Sequence, residues 1–381
     1  MSFRSKSAQA LMNVVESYTA GEVMDFTVQK RASDRDQARA FHVGDESTQA
    51  EPQPPSSVIV IDSKMTPLEA ATLLWENFIM GAPVYDADRK TYVGMFDVRD
   101  ILSCVNAAHR EFVALGIDNP KPGQDTHLPT YGEINRAMQR ERLANALQHM
   151  KIDSKPSTPG AVTVTYLAAR NPMPPVFYTK ESSLLDICKV LTARHKHRVC
   201  IGNSSTARAV CEGILSQSSI VAFIASKCPK GSLDEKMTDA GLDFRKDVVK
   251  IADSASAAEA FELLDSKRLS GIAVVDEDGK LVGTTSAKDI KRAVLDAGRT
   301  SMDMDILSYL ASVRQSEAVT KKDKYPSVHV HDDATVEHVV NLIAKTGLHR
   351  VFVVDKDMKP VGVVSFTDII NFVIKPAIPG V

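Results

Sequence analysis

One unit, written four times, constrains this chain more than anything else in it. The clearest copy runs Leu348-His349-Arg350-Val351-Phe352-Val353-Val354-Asp355, then a polar turn to Lys359, then Val361 to Val364 and Ser365-Phe366-Thr367-Asp368. Val351 to Val354 is an unbroken apolar run, the pattern of a strand covered on both faces. Val336, Val339, Val340 and Ile343 recur at spacings of three and four, which predicts an amphipathic helix before that strand. Ser365 and Thr367 fall where a second helix begins, among N–H groups that lack internal partners. The unit reads strand, helix, strand, strand, helix, and four of them predict an α/β fold.

Weaker copies lie upstream. The first starts at Val58-Ile59-Val60-Ile61-Asp62 and continues with a helix from Thr66 through Trp75, with Thr66 as cap and Pro67 in the first helical position. It ends with Ala82 to Asp86 and Tyr92 to Ile101, which carries Asp97 and Asp100. The second has a helix over 183–193, then His197-Arg198-Val199-Cys200-Ile201 and Gly213 to Ser219. The third has a helix over 257–264, the strand Ser270 to Val275, the turn Asp276-Glu277-Asp278-Gly279, and Leu281 to Asp289. The expected layout is an N-terminal segment over 1–57 with a mobile insertion from Arg31. Repeats follow over 58–104, 171–226, 244–298 and 326–376. A connection over 105–170 holds a helix over 134–150 and a linker over 153–160. A helix over 304–313 leads into the fourth repeat, and the tail after Pro376 is expected to fray. Trp75 and the apolar residues near Phe78 are expected in the core.

The ends of the units carry the chemistry. A helix N-terminus can hold a phosphate or a sugar oxygen. Asp368, one turn in, offers two acceptor oxygens that suit the two hydroxyls of a ribose. His349 and Arg350 supply donors and positive charge for phosphate. Taken alone, Ser365 and Asp368 read as a plain helix cap; their place in a repeated unit favours a ligand site. In the second repeat Ser219 holds the carboxylate position. A hydrogen bond to a charged group is worth about 1.5–3 kcal/mol, so that cleft is expected to bind roughly ten- to a hundredfold more weakly and to stay empty.

Other chemistry finds little support. The chain has 381 residues, 44% hydrophobic and 25% charged, and a net charge of −2, so bulk charge favours neither nucleic acid nor membrane. Five cysteines without a Cys-x-x-Cys spacing point to a reducing compartment, and hence to the cytoplasm and the nucleus. His195-Lys196-His197 and His329-Val330-His331 have the alternation of paired metal ligands, but no third ligand is placed. Asp276 to Gly279 lacks the later bidentate glutamate of a calcium loop and reads as a hairpin turn. No phosphate-binding P-loop, dinucleotide fingerprint or nucleophile elbow occurs, so no catalytic site, metal or cofactor is expected.

Four such units with Gly-x-x-Ser/Thr-x-x-Asp endings resemble CBS motifs, which pair into Bateman modules. Their order is similar to that in the gamma regulatory subunits of AMP-activated, or sucrose-non-fermenting-type, protein kinases. The resemblance implies a disc of two modules whose clefts hold AMP, ADP or ATP and regulate a Ser/Thr kinase in response to energy state. Its partners would be the kinase catalytic subunit and a beta-type scaffold subunit. It implies that Asp368 holds ribose, that Ser365 and Thr367 line the helix end, and that His349 and Arg350 reach phosphate. Asp289 with Ser286 would form a second ribose site and Asp100 a third, while His197 and Arg198 would face the shared centre. The family also lacks the ribose carboxylate in its second repeat, as at Ser219. Three departures stand out: Met80-Gly81-Ala82-Pro83 where the animal family places an arginine, Asp97 where a threonine is usual, and Ser218 where a lysine is expected. A carboxylate at Asp97 repels phosphate. The alternative is an orphan tandem-CBS scaffold or inhibitor protein with degraded nucleotide sites.

Overall fold

The computed structural model describes residues 2–41, 58–114, 164, 177–192, 196–205, 210–295, 302–317, 327–375 and 378–379. After a two-residue strand, β1 (Ser2–Phe3), each repeat builds one three-stranded sheet. The sheets are β2 (Ile61–Asp62), β3 (Gly81–Asp86) and β4 (Thr91–Asp97); β5 (Phe177–Tyr178), β6 (Arg198–Gly202) and β7 (Cys211–Ser216); β8 (Lys250–Ala252), β9 (Gly271–Val275) and β10 (Leu281–Ser286); and β11 (His329–His331), β12 (Arg350–Val354) and β13 (Pro360–Ser365). In every sheet the first strand runs parallel to the second, and the second antiparallel to the third. The middle strands β9 and β12 are the apolar runs seen in the sequence; β9 is buried throughout, and so are Val351 to Val354 of β12.

A helix joins the first two strands of each repeat, as a parallel connection requires. These are Pro67–Glu76, Leu184–Thr192, Ala257–Ser266 and Val336–Thr346. Their starts are written locally. Thr66 and Glu69 form a reciprocal capping box, Ser256 and Glu259 another, and Thr335 accepts from the His338 N–H. Val336, Val339, Val340 and Ile343 are all buried, as their spacing predicts. A second helical element follows each third strand: Val98–Ala114, Gln217–Lys227, the 3-10 turn Ala287–Ile290, and Phe366–Ile374.

The repeats meet in two different ways. Sheets pair first with second and third with fourth. Tyr92, Phe177, Cys200 and Cys211 fill the first interface; Ala273, Leu281, Phe352 and Val354 fill the other. Helices pair crosswise. One core joins the first and third repeats through residues such as Leu74, Leu102, Phe261 and Leu264. The other joins the second and fourth through Ile187, Ile220, Val339 and Ile370, and the helix Lys6–Ser17 adds Leu11 and Val15 to it. Each repeat thus touches one neighbour by its sheet and another by its helices, and the four close into a ring.

Several expectations change. The helix Ala20–Phe41 runs on into the stretch read as an insertion. The tail does not simply fray: β14 (Ile378–Pro379) pairs antiparallel with β1. Phe78 leaves the core, 91% exposed, because it ends its helix in the left-handed region at φ 53°. The helix Val98–Ala114 extends past residue 104, while the expected helix over 134–150 and linker over 153–160 lie outside the described residues.

Candidate functional site

The fourfold register fixes where the functional side chains stand. At the start of each middle strand, Gly81 faces Asp97, Arg198 faces Ser216, Gly271 faces Ser286, and Arg350 faces Ser365. One backbone bond recurs beside each pair: Val98 N–H to Met80 O at 3.1 Å, Gln217 to His197 at 3.1 Å, Ala287 to Ser270 at 3.2 Å and Phe366 to His349 at 3.3 Å. The His-Arg pairs of the second and fourth repeats therefore sit at the point where a strand hands over to a helix N-terminus.

The arginines cross into the neighbouring repeat. A Cβ on Gly81 would lie 3.1 Å from Arg198 Nη1, and a Cβ on Gly271 would lie 3.3 Å from Arg350 Cδ. Glycine at both positions leaves room for the guanidinium. Arg350 Nη1 donates to Gly271 O at 2.8 Å and Nη2 donates to Ser270 Oγ, while its buried Nε has no partner. Burial pulls Arg350 down to about 10, with Asp368 opposing the shift. Arg198 Nη1 instead lies 3.7 Å from Asp97 Oδ2, and burial pulls its guanidinium down too.

Asp97 is the other organising group. It accepts from Arg99 Nη2 at 3.0 Å and Nε at 3.4 Å, and from the Arg99 backbone N–H at 2.8 Å. Burial works against its charge, but Arg99 and Arg198 hold the carboxyl at about 2. Arg99 Nη1 also donates to His197 Nε2 at 3.2 Å. That leaves His197 Nδ1 to carry the proton, which it donates to Gln217 Oε1 at 3.2 Å. Gln217 Nε2 donates on to Thr367 Oγ1 at 3.0 Å and to Leu191 O at 2.7 Å. The chain of bonds from Arg99 through His197 and Gln217 to Thr367 links three repeats. Gln217 was not singled out in the sequence; it occupies the first turn of its helix, a place that carries no signature of its own.

Both histidines are held neutral. Burial and then Arg99 push His197 down to about 4. Burial pushes His349 down to about 3, helped by Lys288, Arg198, Arg350 and His197. His349 also packs against Phe366, with ring centroids 5.5 Å apart. The centre is thus crowded with cations from all four repeats, an arrangement that suits an anion with several oxygens.

The carboxylates one turn into the helices act first as caps. Asp100 Oδ2 accepts from the Asp97 N–H at 2.7 Å, and Asp289 Oδ2 accepts from the Ser286 N–H at 2.7 Å. Asp368 Oδ2 accepts from the Ser365 N–H at 2.8 Å and from Ser365 Oγ at 2.6 Å. In the second repeat the Ser219 hydroxyl does the same for Ser216, at 2.9 Å. Two bonds from Ser365 engage Asp368 Oδ2, and Oδ1 faces away from that cap. It is paired with Lys246. Lys246 lies at the start of the third repeat, ahead of β8, in a stretch whose Phe244 O accepts from the Val363 N–H at 2.9 Å. The strand passes so close that a Cβ on Gly362 would stand 2.3 Å from that oxygen. Sequence reasoning missed Lys246, since the residues ahead of β8 carry no repeated pattern.

Of the paired histidines, His195 lies outside the described residues. His329 Nδ1 meets Ser327 O at 2.8 Å and its ring stacks edge-on to His331, and among the described residues no group of three or more His, Cys, Asp or Glu side chains could hold a metal ion. Asp276 to Gly279 is the hairpin turn, closed by the Asp276 N–H to Lys280 O bond at 3.0 Å. Among the described residues no helix is long and apolar enough to cross a membrane.

Sheets of this order, with cationic side chains gathered where strands pass into helices, define a class. The CBS domain signature matches residues 240–296 and 319–375, the third and fourth repeats. The chain resembles the gamma subunit of the AMP-activated protein kinase. It is 22% identical over 332 residues to that subunit of Dictyostelium discoideum, covering 83% of this chain and 49% of the relative. It is 21% identical over 326 residues to that of Saccharomyces cerevisiae, covering 83% and 86%. The chain therefore spans about half the length of the first relative and most of the second. Among solved structures, a Methanocaldococcus jannaschii protein put forward as an archaeal homologue of the same subunit shares the fold, with a TM-score of 0.55 at 13% identity over 85% of this chain and 97% of the other.

Proposed function

We propose that this chain is a non-catalytic regulatory subunit that binds AMP, ADP or ATP in its CBS clefts and adjusts a Ser/Thr protein kinase to the energy state. The observation that carries the reading is the meeting of His197, Arg198, His349 and Arg350 at one centre, with Arg99 and Lys288 close enough to hold the histidines neutral. Phosphates would meet these groups, and the ribose would meet Asp368 Oδ1 in place of Lys246. Ser286 with Asp289, and Asp100, would line the corresponding clefts of their own repeats, whose ligands would compete for the same phosphate centre. Phosphate number sets the charge delivered to the centre, so AMP and ATP would favour different arrangements of the cations. Only such a difference in affinity between two states can regulate a partner.

The test is thermal stability of the purified chain with millimolar AMP, ADP or ATP, beside Asp368→Ala and His349→Ala. A ligand at about a hundredfold over its dissociation constant stabilises by roughly 2.7 kcal/mol. A rise that both variants lose supports the reading; no rise in a folded sample ends it. The partner part is checked separately, by copurification with a kinase catalytic subunit and a beta-type scaffold subunit. A second reading, an orphan scaffold or inhibitor protein, draws support from the Lys246–Asp368 pair, which already satisfies the carboxylate a ribose would need.

A further inference from the structure

The centre has two halves built on one plan, and they differ at the residue that faces each glycine. In each half an arginine from one repeat lies against a glycine of its neighbour: Arg198 against Gly81, and Arg350 against Gly271. Each glycine faces the residue that caps the following helix. That residue is Ser286 opposite Gly271, and Ser216 and Ser365 hold the same register position in the other two repeats. Opposite Gly81 it is Asp97. The consequences for the two arginines are opposite. Arg198 has a carboxylate oxygen at 3.7 Å, and Arg99 grips the same carboxylate with two nitrogens. Arg350 bonds only to neutral oxygens, its Nε is buried without a partner, and among the described residues no carboxylate lies within ion-pair distance of it.

We propose that Asp97 is a resident counter-anion that fills the phosphate position of the first half, so that the centre takes the phosphates of one nucleotide, at Arg350 and His349. The carboxylate supplies two anionic oxygens on a short stem. Arg99 and Arg198 engage them as they would the oxygens of a bound phosphate, and an incoming anion would have to meet these cations beside a fixed negative charge. The inference rests on the adenine-nucleotide reading above and adds to it which half of the molecule is open to ligand.

The experiment is titration calorimetry of the full chain with ADP and, separately, with inorganic pyrophosphate, on the wild type, Asp97→Ser and Asp97→Asn. Serine is the residue of the other three repeats; asparagine keeps a side-chain oxygen for the helix cap. The wild type is expected to take one equivalent of ADP. Either variant is expected to take a second, and to bind pyrophosphate about tenfold or more tightly than the wild type, the gain expected from one or more hydrogen bonds to a charged group. Two equivalents of ADP in the wild type overturn the proposal, and that measurement needs no variant to fold. A variant with unchanged circular dichroism that gains neither ADP nor pyrophosphate overturns it as well. If the wild type binds no ADP but pyrophosphate still favours the variants, the nucleotide reading fails and the counter-anion assignment stands.

Discussion

His197 and His349 make stability depend on pH with a definite sign. Both have folded-state values pulled below the ordinary 6.5, to about 4 and about 3. Above pH 6.5 both are neutral whether the chain is folded or not. Between there and pH 4 the unfolded chain takes up protons that the folded chain refuses, so stability falls as the pH falls. A tenfold loss of proton affinity on folding is worth about 1.4 kcal/mol, and with water reaching these partly exposed rings the sum is on the order of a few kcal/mol. Urea midpoints at pH 7 and pH 5 are expected to differ by less in His197→Gln/His349→Gln than in the wild type. These two histidines could be picked out from the sequence by the arginine that follows each. Their protonation state could not, because it comes from burial and then from Arg99 and Lys288, which act on them only in the folded chain.

The elements were legible where their signals are local. Thr66-Pro67-Leu68-Glu69 announces a helix start by residue type and spacing, and the structure forms the full capping box there. Thr66→Ala is expected to cost about 1 kcal/mol, read as a lower denaturant midpoint with an unchanged slope. The apolar runs of β9 and β12 were equally plain. What escaped was pairing at a distance. The contact of β1 with β14 joins two residues at each end of the chain, and neither dipeptide has a pattern that names its partner. The Lys246–Asp368 ion pair escaped for the same reason, since a lysine ahead of the first strand of a repeat looks like any solvated lysine. Asp97 was visible as a departure from the pattern of the resembled family, which has a threonine there. Its bonds to Arg99 and Arg198 were not, because they depend on two repeats closing on each other.

At the scale of the whole molecule, sheets join the repeats in one pairing and helices join them in the other. An open stack of repeats has two end units, each with one neighbour, and its stability is a sum of nearest-neighbour terms that lets the ends melt first. A closed ring of four has no end unit. Removing any repeat strips a sheet face from one neighbour and a helical face from another, so loss of one unit exposes apolar surface on two. The chain is therefore expected to melt in one transition: the calorimetric and van't Hoff enthalpies should agree, and two resolved peaks would show that the halves come apart separately. Such cooperativity would arise from closure itself, and a change at any one repeat would bear on two neighbours at once.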